Sequence, residues 1–153
     1  MAVDWDKVEF KGEKRFLSNM YVCNIIYKGK EYGSSEHIYQ AMKSNNIKYQ
    51  EYIRGLEDPK STKKEADRLL GETYEIREDW DDIKLVLMEE ILYLKFTQNL
   101  DLKDKLLEIE GLIEEKNSWG DIFWGTSEGV GQNHLGRLLM KTRDILVEKK
   151  EIK

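Results

Sequence analysis

The sequence predicts a mainly α, α+β fold, with a small β-hairpin near the N-terminus followed by helices. Three observations carry this expectation. The run "VCNIIY" at 22–27, then "KGK", then "EYGS" has the pattern of two short strands around a tight turn. From about residue 35 onward, apolar residues recur at intervals of three and four, the helical period. The one proline, Pro59, stands where a helix would open rather than inside one. At 153 residues the chain has the length of one domain, and we read residues 1–153 as a single domain with a substantial core.

Taken in order, "VEF" at 8–10 is a candidate additional strand, and the hairpin turn falls at Lys28-Gly29. A helix opens at "SSEHIYQAMKS" with Ser34 or Ser35 as its cap. Glu36, Gln40 and Lys43 lie four and then three residues apart, so they share a face. Ile38, Ala41 and Met42 point elsewhere, toward a core. Pro59 opens a helix over 60–70 that ends near Gly71. The longest helix spans 79–99, with Asp79 as cap and Trp80, Ile83, Leu87, Ile91 and Leu94 as its apolar stripe. Leu85, Met88, Leu92 and Phe96 widen that stripe, which marks this as the central helix. A shorter helix over 101–115 and a last one over 133–148 complete the pattern.

Composition excludes several classes of function. There is no run of about 18 apolar residues, so no membrane helix is expected, and "MAVDWDKVEF" lacks the apolar stretch of a signal peptide. With a lone Cys23 besides, the expected location is cytoplasmic. A net charge of -5 opposes non-specific coating of nucleic acid. The cation-rich "KSTKKEADRLLG" at 60–71 reads first as a solvated helix face. Two histidines and one cysteine supply no zinc-type ligand spacing, so no metal and no cofactor are expected. Nucleophile-elbow and phosphate-loop motifs are absent, and "GVGQNHLG" fails the dinucleotide spacing.

The segment "EEKNSWGDIFWGTSEGVGQNHLG" at 114–136 stands apart. It gathers Trp119, Asp121, Trp124, Asn133, Gly120, Gly125, Gly129 and Gly131 in a stretch too glycine-rich for a helix. Glycines permit close backbone approach to a ligand. A helix starting at Asn133 would turn free N–H groups and its positive end toward an anion. Trp119 and Trp124 offer flat faces for a heterocyclic base, with the Asp121 carboxylate between them. The alternative is a loop that buries its tryptophans and uses Asp121 and Asn133 only as caps.

Five segments, in order, resemble one known family. "FLSNMY", containing Asn19, is similar to its FLSNFY-type opening, with Met20 in place of the usual aromatic. "YGSSEHIYQAMKS" resembles its E-H-x-Y-Q-A-x-K helix start. "REDWDDIKLVLMEEILYLKFTQN" is similar to its R-x-D-W…K-F-x-Q-N helix. "EKNSWGDIFWG" and "GQNHLGRLLMKTRD" resemble its E-x-N-x-x-x-D-x-x-W-G and G-x-N-x-L-G-x-x-L-M-x-x-R blocks. The family is the YbiA-like or NADAR group, and the resemblance covers roughly residues 10–147.

The resemblance implies N-glycosidase chemistry, the breaking of a ribose C1′–N bond. Its substrates would be early riboflavin-pathway intermediates or ADP-ribosylated guanine, either as a small nucleotide or linked to nucleic acid. Residue by residue it implies Glu36, Trp80, Asp121 and Trp124 as the functional set, with Lys43, Glu115, Trp119 and Asn133 nearby. Cleavage builds positive charge on the sugar, so Asp121 and Glu36 would be the carboxylate pair, by analogy with O-glycosidases. Trp80 and Trp124 would hold the base, Gln40 and Gly125 would line the site, and Arg143 would reach phosphate. Lys43 offers a second route, by attack on C1′ and a Schiff base with the opened sugar. The competing reading is a module that binds NAD or ADP-ribose without cleaving it. Several carboxylates near a diphosphate would repel it, which favours catalysis.

Overall fold

The computed structural model describes residues 10–152, so the strand expected at 8–10 falls largely outside the described residues. The order is a 3-10 helix (Gly12–Leu17), β1 (Ile25–Tyr27), β2 (Lys30–Tyr32), α1 (Ser35–Ala41), α2 (Ile47–Arg54), α3 (Pro59–Leu69) and α4 (Trp80–Gln98). Then come α5 (Leu100–Glu108), β3 (Lys116–Asn117), β4 (Thr126–Ser127) and α6 (His134–Ile152). The chain forms two compact units, one from its two ends (through Ser18 and from Leu100) and one from Asn19–Asn99.

In the Asn19–Asn99 unit, β1 and β2 pair antiparallel, with Tyr27 opposite Lys30. The two-residue connection has Lys28 at φ 51 and Gly29 at φ 78, the doubly left-handed backbone that matches strand twist in a tight hairpin. The outer side of β1 is closed by a side chain from the end of α4. Gln98 Oε1 accepts from Ile26 N at 2.6 Å, while Gln98 Nε2 donates to Ile26 O at 2.9 Å. Its neighbour Asn99 donates to Asn24 O at 3.0 Å. The "QN" ending of the long helix is thus a clamp on the hairpin.

The hub of this unit is α1, not the longest helix α4 as the stripe suggested. It touches α2, α3, α4 and β2, and all seven of its residues are buried. Ser34 caps it, accepting from His37 N at 3.1 Å. His37 is held at both ring nitrogens, by Ser34 Oγ at 2.7 Å and by Leu56 O at 2.6 Å. The carbonyl can only accept, so Nε2 carries the proton in that contact. α2 was not anticipated. α3 begins as expected, with Pro59 at its first turn and the Asp58 carboxylate accepting from Lys60 N. Asp79 sits at the start of α4 but does not cap it, because Arg77 takes its carboxylate through two hydrogen bonds, 2.6 and 3.0 Å.

The other unit packs α5 against α6, with Phe16, Leu17, Leu102, Leu106, Leu135, Leu139 and Leu146 buried. The helix expected over 101–115 stops at Glu108. Gly111 takes φ 83, and the freed carbonyls of Ile109 and Gly111 are each met by the Arg143 guanidinium at 2.8 Å.

The buried face of α4 carries one cation. Lys95 is 0% exposed, its Nζ 5.2 Å from the Phe96 ring centroid and 5.9 Å from that of Tyr21. Burial, partly offset by the nearby Cys23, pulls its pKa down to about 8. Between about pH 8 and pH 10 the unfolded chain holds a proton that the folded chain has released, so stability rises with pH. The slope from this one group approaches about 1.4 kcal/mol per pH unit. Above that window Tyr27, Tyr32 and Tyr49, whose pKa values burial raises, act in the opposite direction. Denaturant titrations of wild type and Lys95→Met across this range should show the rise in the wild type only.

Candidate active site

The Asn19–Asn99 unit brings Glu36, Tyr39, Gln40, Lys43 and Trp80 together. Glu36 is buried, its backbone N–H donating to Asn19 O at 3.0 Å. Gln40, one turn on, donates from Nε2 to Glu36 Oε1 at 2.7 Å. Lys43 lies two residues past the last residue of α1, in the turn that follows. Three contacts fix this turn. Tyr49 donates its hydroxyl to Gln40 O at 2.8 Å, Arg77 N donates to Lys43 O at 2.9 Å, and Gln50 Nε2 donates to Ser44 O at 2.7 Å.

The Lys43 ammonium lies 5.3 Å from the Tyr39 ring centroid and 6.0 Å from that of Trp80. Those two rings pack on each other at 5.0 Å. Its side chain makes no hydrogen bond or ion pair with any described residue. Burial lowers the Lys43 pKa, and the nearby Glu36 carboxylate offsets it only in part. Lys63 and Lys84 add to the lowering. A half-buried amine with a depressed pKa near a buried carboxylate has the chemical properties a nucleophile and a proton carrier require. Trp80 opens α4 and is half-buried, so one side of it remains open to a ligand. Tyr39, the third wall, was not singled out from the sequence; its place in "EHIYQA" is the only signal.

The remaining expected residues lie in the other unit. Asp121 starts a tight turn, its Oδ1 accepting from Phe123 N at 3.1 Å and Trp124 N at 3.0 Å. Asn117, not foreseen, grips the same residue, accepting from Asp121 N at 3.0 Å and donating to Asp121 O at 2.8 Å. This closes a five-residue loop with Trp119 at its tip, 72% exposed. Trp124 is half-buried and packs edge-on against Phe123 at 4.9 Å. Glu115 is half-buried beside β3; its carbonyl accepts from Thr126 N at 2.8 Å. The preceding Glu114 takes the Thr126 hydroxyl.

Three expected ligand contacts have other partners. The start of α6 is not open to phosphate. The N–H groups of Asn133, His134 and Leu135 donate to Gly125 O, Phe123 O and Trp124 O at 3.2, 3.1 and 2.9 Å. The Asn133 side chain accepts from Glu115 N and donates to Ile113 O, both at 2.9 Å. Arg143, expected at phosphate, holds the two carbonyls that follow α5. Gly125 faces backbone rather than ligand, since a Cβ there would stand 2.1 Å from Glu115 O. Gly136 is similar, its Cβ position 2.3 Å from Ile113 O. On α3, Lys63 and Arg68 pair with Asp67 and Glu65, as a solvated face would.

The NADAR domain model matches residues 5–147. A riboflavin biosynthesis protein of Vibrio vulnificus is 39% identical over 135 residues, 87% of this chain. The chain spans only 36% of that relative's length. The N-glycosidase YbiA of Escherichia coli is 33% identical over 136 residues, 88% of this chain and 82% of that protein. The NMR structure of Escherichia coli YbiA superposes with a TM-score of 0.82 at 30% identity, covering 97% of this chain and 89% of that one. The α+β fold expected from the sequence is therefore the fold of that protein.

The two contacts of Asp121 Oδ1 give a direct test of its local role. Asp121→Ala should lower stability by about 1–2 kcal/mol, the worth of a lost cap. Asp121→Asn, which keeps the accepting oxygen, should stay within about 0.5 kcal/mol of wild type. Denaturant unfolding of both variants measures the difference.

Proposed function

The chain belongs to the NADAR domain family, and from that premise we propose that Lys43 and Glu36 carry out cleavage of a ribose C1′–N bond. The chain is an N-glycosyl hydrolase. The observation that supports this assignment of residues is the Lys43 amine, set against the packed rings of Tyr39 and Trp80 within electrostatic reach of the buried Glu36, with burial lowering its pKa.

The Lys43 amine adds to C1′ while the C1′–N bond breaks and its electron pair leaves with the base nitrogen. The proton shed by the amine passes by way of Glu36 to the departing base. The ring oxygen then takes a proton and the sugar opens, leaving an iminium between C1′ and Nζ. Water adds to C1′, restores the free amine and releases the sugar. Tyr39 and Trp80 exclude water from the amine, and Trp80 presents a face on which the leaving base stacks. Positive charge on the opening sugar is stabilised by the Glu36 carboxylate.

For the substrate we favour the small aminopyrimidine ribosyl phosphate of riboflavin synthesis over ADP-ribosylated guanine in nucleic acid. The name of the Vibrio relative supports it. So does the pairing of Lys63 and Arg68, which leaves less of α3 as a basic rim.

Borohydride added during turnover should trap a covalent sugar adduct on Lys43, seen by mass spectrometry and absent from Lys43→Arg. Turnover with no adduct at all would mean direct attack by water. Glu36→Gln keeps an acceptor for Gln40 and should lower kcat about 10²–10⁴-fold. The kcat/KM profile should rise with pH as the amine is uncovered, with its limb below the ordinary lysine value of 10.5.

A further inference from the structure

Asp79 stands directly before α4 and yet leaves that helix without a side-chain cap. A carboxylate in that place ordinarily accepts from the first N–H groups of the helix and meets the positive end of its dipole. The Asp79 backbone, at φ -91 and ψ 10, lies outside the extended region that a capping residue adopts. Both of its oxygens go instead to Arg77, from Nε at 2.6 Å and from Nη2 at 3.0 Å. Stability is a weak reason for that choice. The Asp79 side chain is 48% exposed, and ion pairs open to water contribute little. What a two-point contact supplies is fixed geometry, and a local preference set aside for geometry is expected near a functional site.

Residues 77–80 form one tight turn. Trp80 N donates to Arg77 O at 3.2 Å, and the Arg77–Asp79 pair braces the turn from its side chains. The two ends of this turn meet Lys43 in different ways. At one end Arg77 N donates to Lys43 O at 2.9 Å. At the other, the Trp80 ring lies 6.0 Å from the Lys43 amine and packs on Tyr39 at 5.0 Å. The guanidinium itself is set inward, 21% exposed, with the buried Tyr27 of β1 within electrostatic reach.

We propose that Arg77 is a positioning residue for Lys43: its fork on Asp79 fixes the 77–80 turn, which holds the Lys43 carbonyl at one end and sets the Trp80 ring beside the Lys43 amine at the other. This rests on the reading of Lys43 as the reacting amine, and it names what holds that amine in place. The charges acting on the amine come from Glu36 on α1, Lys63 and Asp67 on α3, and Lys84 on α4. All four stay when Arg77 or Asp79 is replaced. A loosened turn admits water to the amine, whose pKa then climbs back toward 10.5.

The Lys43 amine can be read directly, without turnover. Acetylation by acetic anhydride between about pH 7 and pH 11, resolved lysine by lysine by mass spectrometry, gives its titration midpoint. Arg77→Met and Asp79→Ala should each raise that midpoint and lower kcat on the order of 10²-fold. The double variant should do no more than the stronger single one. The two substitutions remove opposite charges, so action by charge alone would raise the midpoint in the first and lower it in the second. Thermal melts check that each variant is folded. Should Arg77→Met fail to fold, Arg77→Lys, which keeps the charge and loses the fork, should raise the midpoint in its place. Unmoved midpoints, shifts in opposite directions or an unchanged kcat in folded variants would each overturn the positioning role. Borohydride trapping by the wild type separates the two ideas. Raised midpoints with no adduct on Lys43 remove only its reading as the nucleophile, and an adduct with unmoved midpoints removes only the role of Arg77.

Discussion

The arrangement of the Asn19–Asn99 unit depends on burying a seven-residue helix of which four residues, Ser35, Glu36, His37 and Gln40, are polar. An isolated helix that short does not hold together in water, so its neighbours must supply both the packing and the hydrogen bonds. His37 is satisfied by the cap and by Leu56, and the Gln40 carbonyl by Tyr49. Glu36 receives Gln40 and hands its own N–H to Asn19. The polar groups of α1 thus divide into those the protein completes and those it presents. Glu36 lies within electrostatic reach of Lys43, so the helix that is the hub of the unit also carries one of the two groups proposed to react.

What the sequence made legible was local. The hairpin needed only a glycine in a two-residue turn, and α3 needed only Pro59 and Asp58 at its start. Neither depends on a distant partner. α2 escaped notice because only Tyr49 and Ile53 of its eight residues are buried, too few to set a period. The helix expected through 115 failed for a different reason. Ile109, Leu112 and Ile113 continue an apolar pattern past Glu108, but Gly111 turns left-handed and Arg143, 32 residues further on, takes the carbonyls. A competing partner that far along the chain leaves no trace in local spacing.

The same limit applied to the glycine-rich segment. Its composition was read as a ligand wall, yet much of it is backbone meeting backbone. Gly125 and Gly136 are glycine because carbonyls of Glu115 and Ile113 stand where a Cβ would be. Asn133, at φ 52, ties the start of α6 to the 113–115 segment through both ends of its amide. These contacts make the segment stiff, and stiffness is what can hold a large aromatic such as Trp119 out in solvent. The Glu36–Gln40 contact, by contrast, follows helical spacing, which is itself local, whereas Lys43, expected on the same helix face, lies in the turn past the end of α1.

Two lysines in the Asn19–Asn99 unit have their pKa lowered by burial, and comparing them shows why the shift alone does not locate the chemistry. Lys95 has the larger feature by that measure, a pKa near 8, but it is wholly enclosed between the hairpin side of α4 and the core. Its side chain is wholly buried, and its titration bears on stability. Lys43 is only half-buried, at the end of a helix rather than in the middle of one, with one open side and a carboxylate within electrostatic reach. A nucleophile must be desolvated enough to shed its proton and exposed enough to touch carbon. The turn after α1 meets both conditions because three hydrogen bonds to its carbonyls, from Tyr49, Arg77 and Gln50, fix its backbone while leaving the amine unbound.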